Sequence, residues 1–475
     1  MQKQPTLFQA LLPIFLLVFL LFLNVSFFED TLSGPNQMAL IFSATVAGLI
    51  AIYLSQSWEN ILDSVVKSIN SAMPSMLILL LIGALAGTWL ISGVVPTMIY
   101  YGLKILNPKI FLFATVIICA LVSLATGSSW STVATIGIAL LGIGKTLGIH
   151  DGVIAGAIIS GAYFGDKISP LSDTTNLAPA MAGTDLFTHI RYMLITTVPT
   201  LLITLVIFLF IGFNYDFGNS DTNVNVVLDS IENTFYISPV LLLVPVLLVV
   251  VIIRKVPPIP ALLFGIVLGG VFAVIFQPDV LNSLSGYHSD YAYSSYTVVM
   301  KSMFGPVTVE SGNAMITDLF STGGMQGMLN TIWLILAAMI FGGAMESAGL
   351  LVKITQSLLR FAKSTGSLVA TTAGSCLFLN VTASDQYISI VVPGKMFAET
   401  YKKKGYKPEL LSRTLEDSGT VTSVLIPWNT CGATQSKVLG VDVLTYLPYA
   451  FFNIISPLMT ILVAYLGIKI RRIKD

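Results

Sequence analysis

Charge is scarce in this chain. Only 10% of its 475 residues are Asp, Glu, Lys or Arg, against roughly 25% in soluble domains. That deficit excludes an ordinary water-soluble domain. The 24 basic and 24 acidic residues cancel, so nothing in the net charge points to nucleic acid, and the placement of charges carries the information. Cysteine is equally sparse. Cys119, Cys376 and Cys431 lie in apolar surroundings without CxxC spacing, which excludes a disulfide framework or a cysteine metal cluster. The three histidines, His150, His189 and His288, are scattered near expected helix ends or loops and do not read as ligands. Alternating ten-residue strands are missing, which excludes a porin-like barrel. No HExxH or Ser/His/Asp arrangement is present, which argues against an intramembrane enzyme. The stretch GIGKT (142–146) resembles the end of a phosphate-binding loop, but that motif needs Gly at position 139, which is Ala. Nucleotide binding, and with it primary pumping, is therefore excluded.

What is abundant is apolar sequence, with 55% of residues hydrophobic. The longest runs are Leu7–Phe28, Met38–Leu54, Met73–Ile91, Leu194–Phe213, Tyr236–Ile253, Ala261–Phe276, Met328–Ala348 and Tyr446–Ile468. Most approach or exceed the ~20 residues that cross a bilayer as a helix. An all-α polytopic membrane protein is expected, its partner the lipid bilayer. The first run is too long for a signal-peptide core, and Asn24–Phe28 offers no small-residue cleavage site, so it reads as a retained span. Basic clusters fall at 402–407 (KKKGYK), 469–475 (KIRRIKD), Arg254-Lys255, and Lys353, Arg360 and Lys363. The positive-inside rule puts them in the cytoplasm. Glu29-Asp30, the stretch from Asn214 to Asn233, and Leu281–Ser321 then lie outside. Both termini come out cytoplasmic after about ten crossings. Segments 109–144 and 367–401 must enter and leave on one side, and each is expected to be a re-entrant hairpin.

The chain also repeats itself. At an offset of 257 residues Cys119 meets Cys376, Trp130 meets Tyr387, Gly137 meets Gly394, and Gly148 meets Gly405. The same register pairs Pro170 with Pro427, Gly183 with Gly440, Asp185 with Asp442 and Thr188 with Thr445. One gap extends it back to Gly87/Gly343 and Gly93/Gly349. Single glycine matches mean little in such sequences, but a shared register does not arise by chance. Two halves are expected, 1–215 and 236–475, joined by an external linker at 216–235. KKKGYK is strongly basic, whereas its partner KTLGIH (145–150) has one Lys and one His. The repeats are therefore expected to be inverted, the architecture of secondary transporters.

Four polar stretches interrupt apolar spans. Thr126-Gly127-Ser128-Ser129 falls at the first hairpin turn, and its partner runs from Asn380 through Thr382 to Asp385. The stretch GDKISPLSDTTN carries Asp166, Lys167, Asp173, Thr174, Thr175 and Asn176, and pairs with SVLIPWNTCGA, which carries Asn429 and Thr430. Gly and Pro break the helices there and free backbone groups that must be satisfied internally. Unwound carbonyls, hydroxyls and a carboxylate make a hard oxygen set suited to small cations. Each acid of one half meets a hydroxyl residue of the other: Asp166 with Ser423, Asp173 with Thr430, Asp385 with Ser128. A carboxylate at membrane depth is costly to charge and can hold either a proton or a cation, the simplest chemistry of exchange.

Structural readings compete with these. Asp166 and Lys167 could form a local ion pair, and Asp173 could cap the following helix. Asp385 has no basic neighbour before Lys395. Glu416 and Asp417, three and four positions after Arg413, could be a solvated helix pair or charge partners of the site. Asp185 and Asp442 read as matched caps at the start of a span.

GAYFGDKISPLSDTTNLAP (161–179), DQYISIVVPGKMF (385–397) and LEDSGTVTSVLIPWNTCGA (415–433) together resemble the bacterial NhaC-type Na⁺/H⁺ antiporters of the ion-transporter superfamily. The resemblance covers most of the chain. It implies inverted repeats, each with a re-entrant hairpin and a broken helix, a homodimer in the bacterial plasma membrane, and no cofactor beyond transported Na⁺ and H⁺. It also implies either plain Na⁺/H⁺ exchange or exchange coupled to organic anions, of the malate/lactate type. On the first reading Asp166, Asp173 and Asp385 carry the charge, with sodium at Asp173 and Asp385. Thr126, Ser128, Ser129, Thr174, Thr175, Asn176, Asn380, Thr382, Asn429 and Thr430 supply neutral oxygens or position the broken helices. On the second reading the helix N-termini at SDTTN and WNTCG hold a carboxylate, aided by Lys167 or Lys395. A channel is disfavoured, since rings of charge and repeated filter loops are missing.

Overall fold

The computed structural model describes residues 4–28, 31, 33–215, 220–286, 290–311, 317 and 319–473. His288 and the Glu29-Asp30 pair lie outside the described residues. The apolar runs fold as helices because only a helix satisfies every backbone group within one segment. Seven helices among the described residues are long and apolar enough to cross a membrane, or nine if each of two bent pairs is one span. The seven single helices are Leu7–Phe27, Pro35–Tyr53, Trp58–Ile91, Pro108–Thr126, Leu186–Asn214, Pro258–Phe276 and Leu329–Ser347. Two expected spans are bent. Val224–Thr234 meets Pro239–Ile253 at 93°, and Val443–Tyr449 meets Phe451–Tyr465 at 56°. The run expected at 73–91 is the end of a 34-residue helix whose start is fixed by Ser57, which accepts from the Asn60 amide. Strand among the described residues is confined to the Val307–Thr308 and Ser321–Thr322 ladder. Phe8, Phe22, Val206 and Phe210 point outward and exposed, as side chains do where the solvent is hydrocarbon.

The 257-residue register is visible in the backbone. Pro108–Thr126 corresponds to Thr365–Thr382, the helical stretch 129–146 to Gln386–Lys403, and Asp173–Ala182 to Thr430–Leu439. Left-handed positions coincide as well: Gly127 with Ser384, Gly148 with Gly405, and Gly183 with Gly440. So do the caps. Ser128 accepts from the Ser131 amide at 3.1 Å, and Asp385 accepts from Ile388 at 3.0 Å. Ser172 accepts from Thr175, and Asn429 from Cys431. Asp185 caps the Leu186–Asn214 helix through Thr188, but Asp442 stands at its N-cap position without a side-chain bond. The π-helical turns break the symmetry. Val133–Gly137 is π-helical in the first half, and Glu416–Thr420 in the second, at positions that do not correspond.

Pro108–Thr126 packs closely against Asp151–Ile168. A side chain at Gly161 or Gly165 would collide with the backbone of the neighbouring helix at Val116 or Ala120, so these small residues set the approach. Ser123 donates to the Ala162 carbonyl at 2.6 Å, and Ser169 to that of Leu124 at 2.8 Å. Three basic stretches meet at one end of the molecule. Lys404 donates to the Lys363 carbonyl, Arg471 to Glu409, and the Ile473 amide to Gly405.

Candidate functional site

The tips of the two hairpins and the break of the first broken helix converge on a cavity of about 470 Å³. Thr126, Ser128 and Trp130 line it from the first tip, Gln386 and Tyr387 from the second, and Asp166, Pro170 and Asp173 from the broken helix. Lys255, Pro257 and Pro258 also line it, from the junction of the Pro239–Ile253 and Pro258–Phe276 spans. The local cause is the SPLSD sequence. Asp151–Ile168 ends at Ser169, the proline-containing turn 169–172 frees the backbone, and Ser172 starts the next helix.

Asp166 is buried on the cavity wall. Its Oδ2 accepts from the Ser129 hydroxyl at 2.6 Å and the Ser129 amide at 3.1 Å. Asp173 is the first residue of its helix, not the cap, because Ser172 takes that role. Its carboxylate is exposed to the cavity; it accepts from the Thr174 amide at 2.7 Å and from the Tyr387 hydroxyl of the second half. Asp385 is buried and caps the second hairpin arm. Thr175 donates to the carbonyls of Asp166 and Lys167, and Asn176 to those of Pro170 and Ser172. These two tie the break together. In the second half Asn380 donates to Gly419 and Thr422, Asn429 donates back to Asn380, and the Thr430 amide bonds the Ser384 carbonyl. Thr382 is spent within its own helix, on the Phe378 carbonyl.

The local ion pair Asp166–Lys167 does not form. Successive helical residues point about 100° apart, and Lys167 turns instead to the opposite half, bonding Asp417 and the Ser456 hydroxyl. Arg413 approaches the other oxygen of Asp417 at 4.0 Å, and Thr196 donates to it at 2.8 Å. Glu416 and Asp417 are accordingly not a solvated helix pair. Both are fully buried, because the π turn faces them into the core. Glu416 accepts from Thr174 at 3.0 Å. Lys395 is exposed on its helix, ten positions after Asp385. His189 is buried against Ser412 at 2.8 Å.

Several site residues were not anticipated. Tyr387 was visible as the repeat partner of Trp130, an aromatic match at the position where both line the cavity. Thr196 and Ser456 are lone hydroxyls in apolar helices and leave no signal in one sequence.

The sequence profile of the Na⁺/H⁺ antiporter family matches residues 161–468, which hold the broken helix, the second hairpin and the buried ion cluster. The chain is 40% identical to the Na⁺/H⁺ antiporter NhaC of Alkalihalophilus pseudofirmus, over 91% of each chain. It is 36% identical to the malate-2H⁺/Na⁺-lactate antiporter of Bacillus subtilis, over 98% of this chain and 96% of that one. Identity to the NhaC antiporter of the same organism is also 36%, over 90% of this chain and 92% of that one. On the match across more than half its length and on these near-full-length relatives, this multi-pass membrane protein belongs to the Na⁺/H⁺ antiporter family.

Proposed function

We propose that this chain exports Na⁺ against proton influx across the bacterial plasma membrane, as a homodimer working by alternating access. The observation that carries the reading is the meeting of both halves at one cavity, where Asp173 of the first broken helix accepts from Tyr387 of the second hairpin. A carboxylate open to water beside buried carboxylates can take a hydrated ion and pass it inward, and the same groups can take protons. Asp166, Asp173 and Asp385 carry the charge. The Ser129 hydroxyl donates to Asp166 and the Tyr387 hydroxyl and Thr174 amide to Asp173, and Thr126 and Ser128 complete the first tip.

The halves 1–215 and 236–475 act as inverted repeats about the linker 216–235. Counting each broken helix as one crossing and each hairpin as none gives about ten crossings. The basic end faces the cytoplasm with both termini. The cavity, lined by Lys255, then opens inward.

The test is Asp173→Asn in proteoliposomes. The expected result is loss of Na⁺-driven dissipation of an imposed pH gradient, with unchanged monodispersity in detergent; unchanged dissipation sinks the reading. A second reading, Na⁺- and H⁺-coupled exchange of a carboxylate, is favoured by Lys255 in the lining of a cavity larger than one ion needs. Stimulation of the exchange current by malate or lactate decides for it.

A further inference from the structure

Five ionisable side chains are enclosed where the first broken helix meets the π turn: Asp166, Lys167, Arg413, Glu416 and Asp417, none more than 7% exposed. Both bases converge on one acid. Lys167 bonds Oδ1 of Asp417, and Arg413 faces its Oδ2. Among the described residues, Asp166 and Glu416 have no ion-pair partner within 4.0 Å. Each also keeps one buried oxygen that accepts no hydrogen bond, Oδ1 of Asp166 and Oε2 of Glu416. The cluster therefore holds three carboxylates against two cations. An unneutralised carboxylate buried at membrane depth is costly, and here the deficit is one positive charge.

Hydroxyls lead from the break of the first broken helix to Glu416. The Ser172 hydroxyl lies 3.2 Å from the Thr174 hydroxyl, which donates to Oε1 of Glu416 at 3.0 Å, and the adjoining Thr175 hydroxyl ties back to the Asp166 carbonyl at 3.1 Å. Thr174 spends its proton on Glu416, so it accepts from Ser172 and keeps one lone pair free. Ser418 and Thr420, on the same π turn as Glu416, carry buried hydroxyls without hydrogen-bond partners among the described residues.

We infer that Asp166 and Glu416, with the hydroxyls of Ser172 and Thr174, form an occluded site for one dehydrated monovalent cation. It lies behind the cavity: Asp166 is part of the lining, whereas Glu416 is not. Two carboxylates and several hydroxyls are a hard oxygen set for an alkali cation; a proton would engage one acid and leave the hydroxyls unused. Asp166 is thus the hinge between the two compartments, held by Ser129 on one oxygen and open to the buried site on the other. The assignment rests on the Na⁺/H⁺ reading and moves the bound ion from Asp173 and Asp385 to a pair that includes Glu416.

The experiment measures equilibrium ²²Na⁺ binding to the purified full-length protein, alongside Na⁺-driven exchange in proteoliposomes. Glu416→Gln is expected to weaken Na⁺ affinity and to raise the apparent KM for Na⁺ by on the order of tenfold or more. Thr174→Val, which keeps both carboxylates and removes the bridging hydroxyl, is expected to weaken affinity by a smaller factor. Wild-type affinity in a monodisperse Glu416→Gln protein overturns the site while leaving the antiport reading intact. Should Glu416→Gln fail to fold, Thr174→Val decides, and unchanged affinity there overturns the site. A wild-type protein that neither binds ²²Na⁺ nor exchanges removes the functional reading, and this site with it.

Discussion

Lys167 is fully buried, and its ammonium is held by Asp417 and Ser456 across the junction of the two halves, 5.4 Å from the centre of the Phe452 ring. Removing it strands Asp417, whose only other cation is Arg413 at 4.0 Å among the described residues. Breaking a buried pair from one side costs about 3–5 kcal/mol. Lys167→Met should therefore lower the unfolding temperature sharply in detergent. Lys167→Met combined with Asp417→Asn should recover part of the loss, because the carboxylate that Lys167 neutralised is then gone. A double variant no more stable than the single one would show that the pair is not what holds this junction. Such residues mark the limit of what one sequence discloses. Asp166, Asp173 and Asp385 stood out because acids in apolar sequence are rare. Their partners did not, since Lys167 bonds a residue 250 positions away and its own neighbour Asp166 was the more obvious choice. The π turn that buries Glu416 and Asp417 has no signature in EDSGT; a regular helix would have been read from the same residues.

At the scale of elements, the breaks are built from matched parts with unequal tolerance. Gly127 ends the first hairpin arm at φ +69°, and a Cβ there would stand 2.6 Å from Leu171 Cβ and 2.9 Å from the Ser172 nitrogen. The first tip is thus pressed against the break of the broken helix. Ser384, at the equivalent position, already carries a side chain at φ +59°. Gly127→Ala should cost about 1–2 kcal/mol from backbone conformation alone, with more from the clash. It should also depress exchange by displacing Ser129 from Asp166. Ser384→Gly should stay within about 1 kcal/mol of the parent, since relief of strain offsets the gain in chain freedom. Thermal denaturation of both variants checks the pair, and equal losses would overturn it. Element positions were the most legible part of the chain. Runs of apolar residues and the Gly, Pro and Ser breakers between them are local signals, and the 257-residue register carried each break from one half to the other. The two strongly bent spans were not legible, because their bends at Pro239 and at 447–450 depend on what the flanking helices pack against.

For the whole molecule, the question is which side of the membrane the cavity faces. Its lining residues Lys255, Pro257 and Pro258 belong to the connection of two spans that carries Arg254 and Lys255, and the positive-inside rule predicts such a connection in the cytoplasm. Ser75 lines the same cavity. Ser321 lies at the exposed end of the short ladder, in the stretch assigned to the outside. The three native cysteines are buried and free, so a single introduced thiol can be followed against a quiet background. In right-side-out vesicles a membrane-impermeant maleimide should label Ser321→Cys quickly and Ser75→Cys slowly; in inverted vesicles the order should reverse. An imposed Na⁺ gradient that drives turnover should raise the external labelling of Ser75→Cys, because alternating access presents one site to each side in turn. Equal labelling of Ser75→Cys from both sides without any gradient would describe an open pore, and the carrier reading would fall with it.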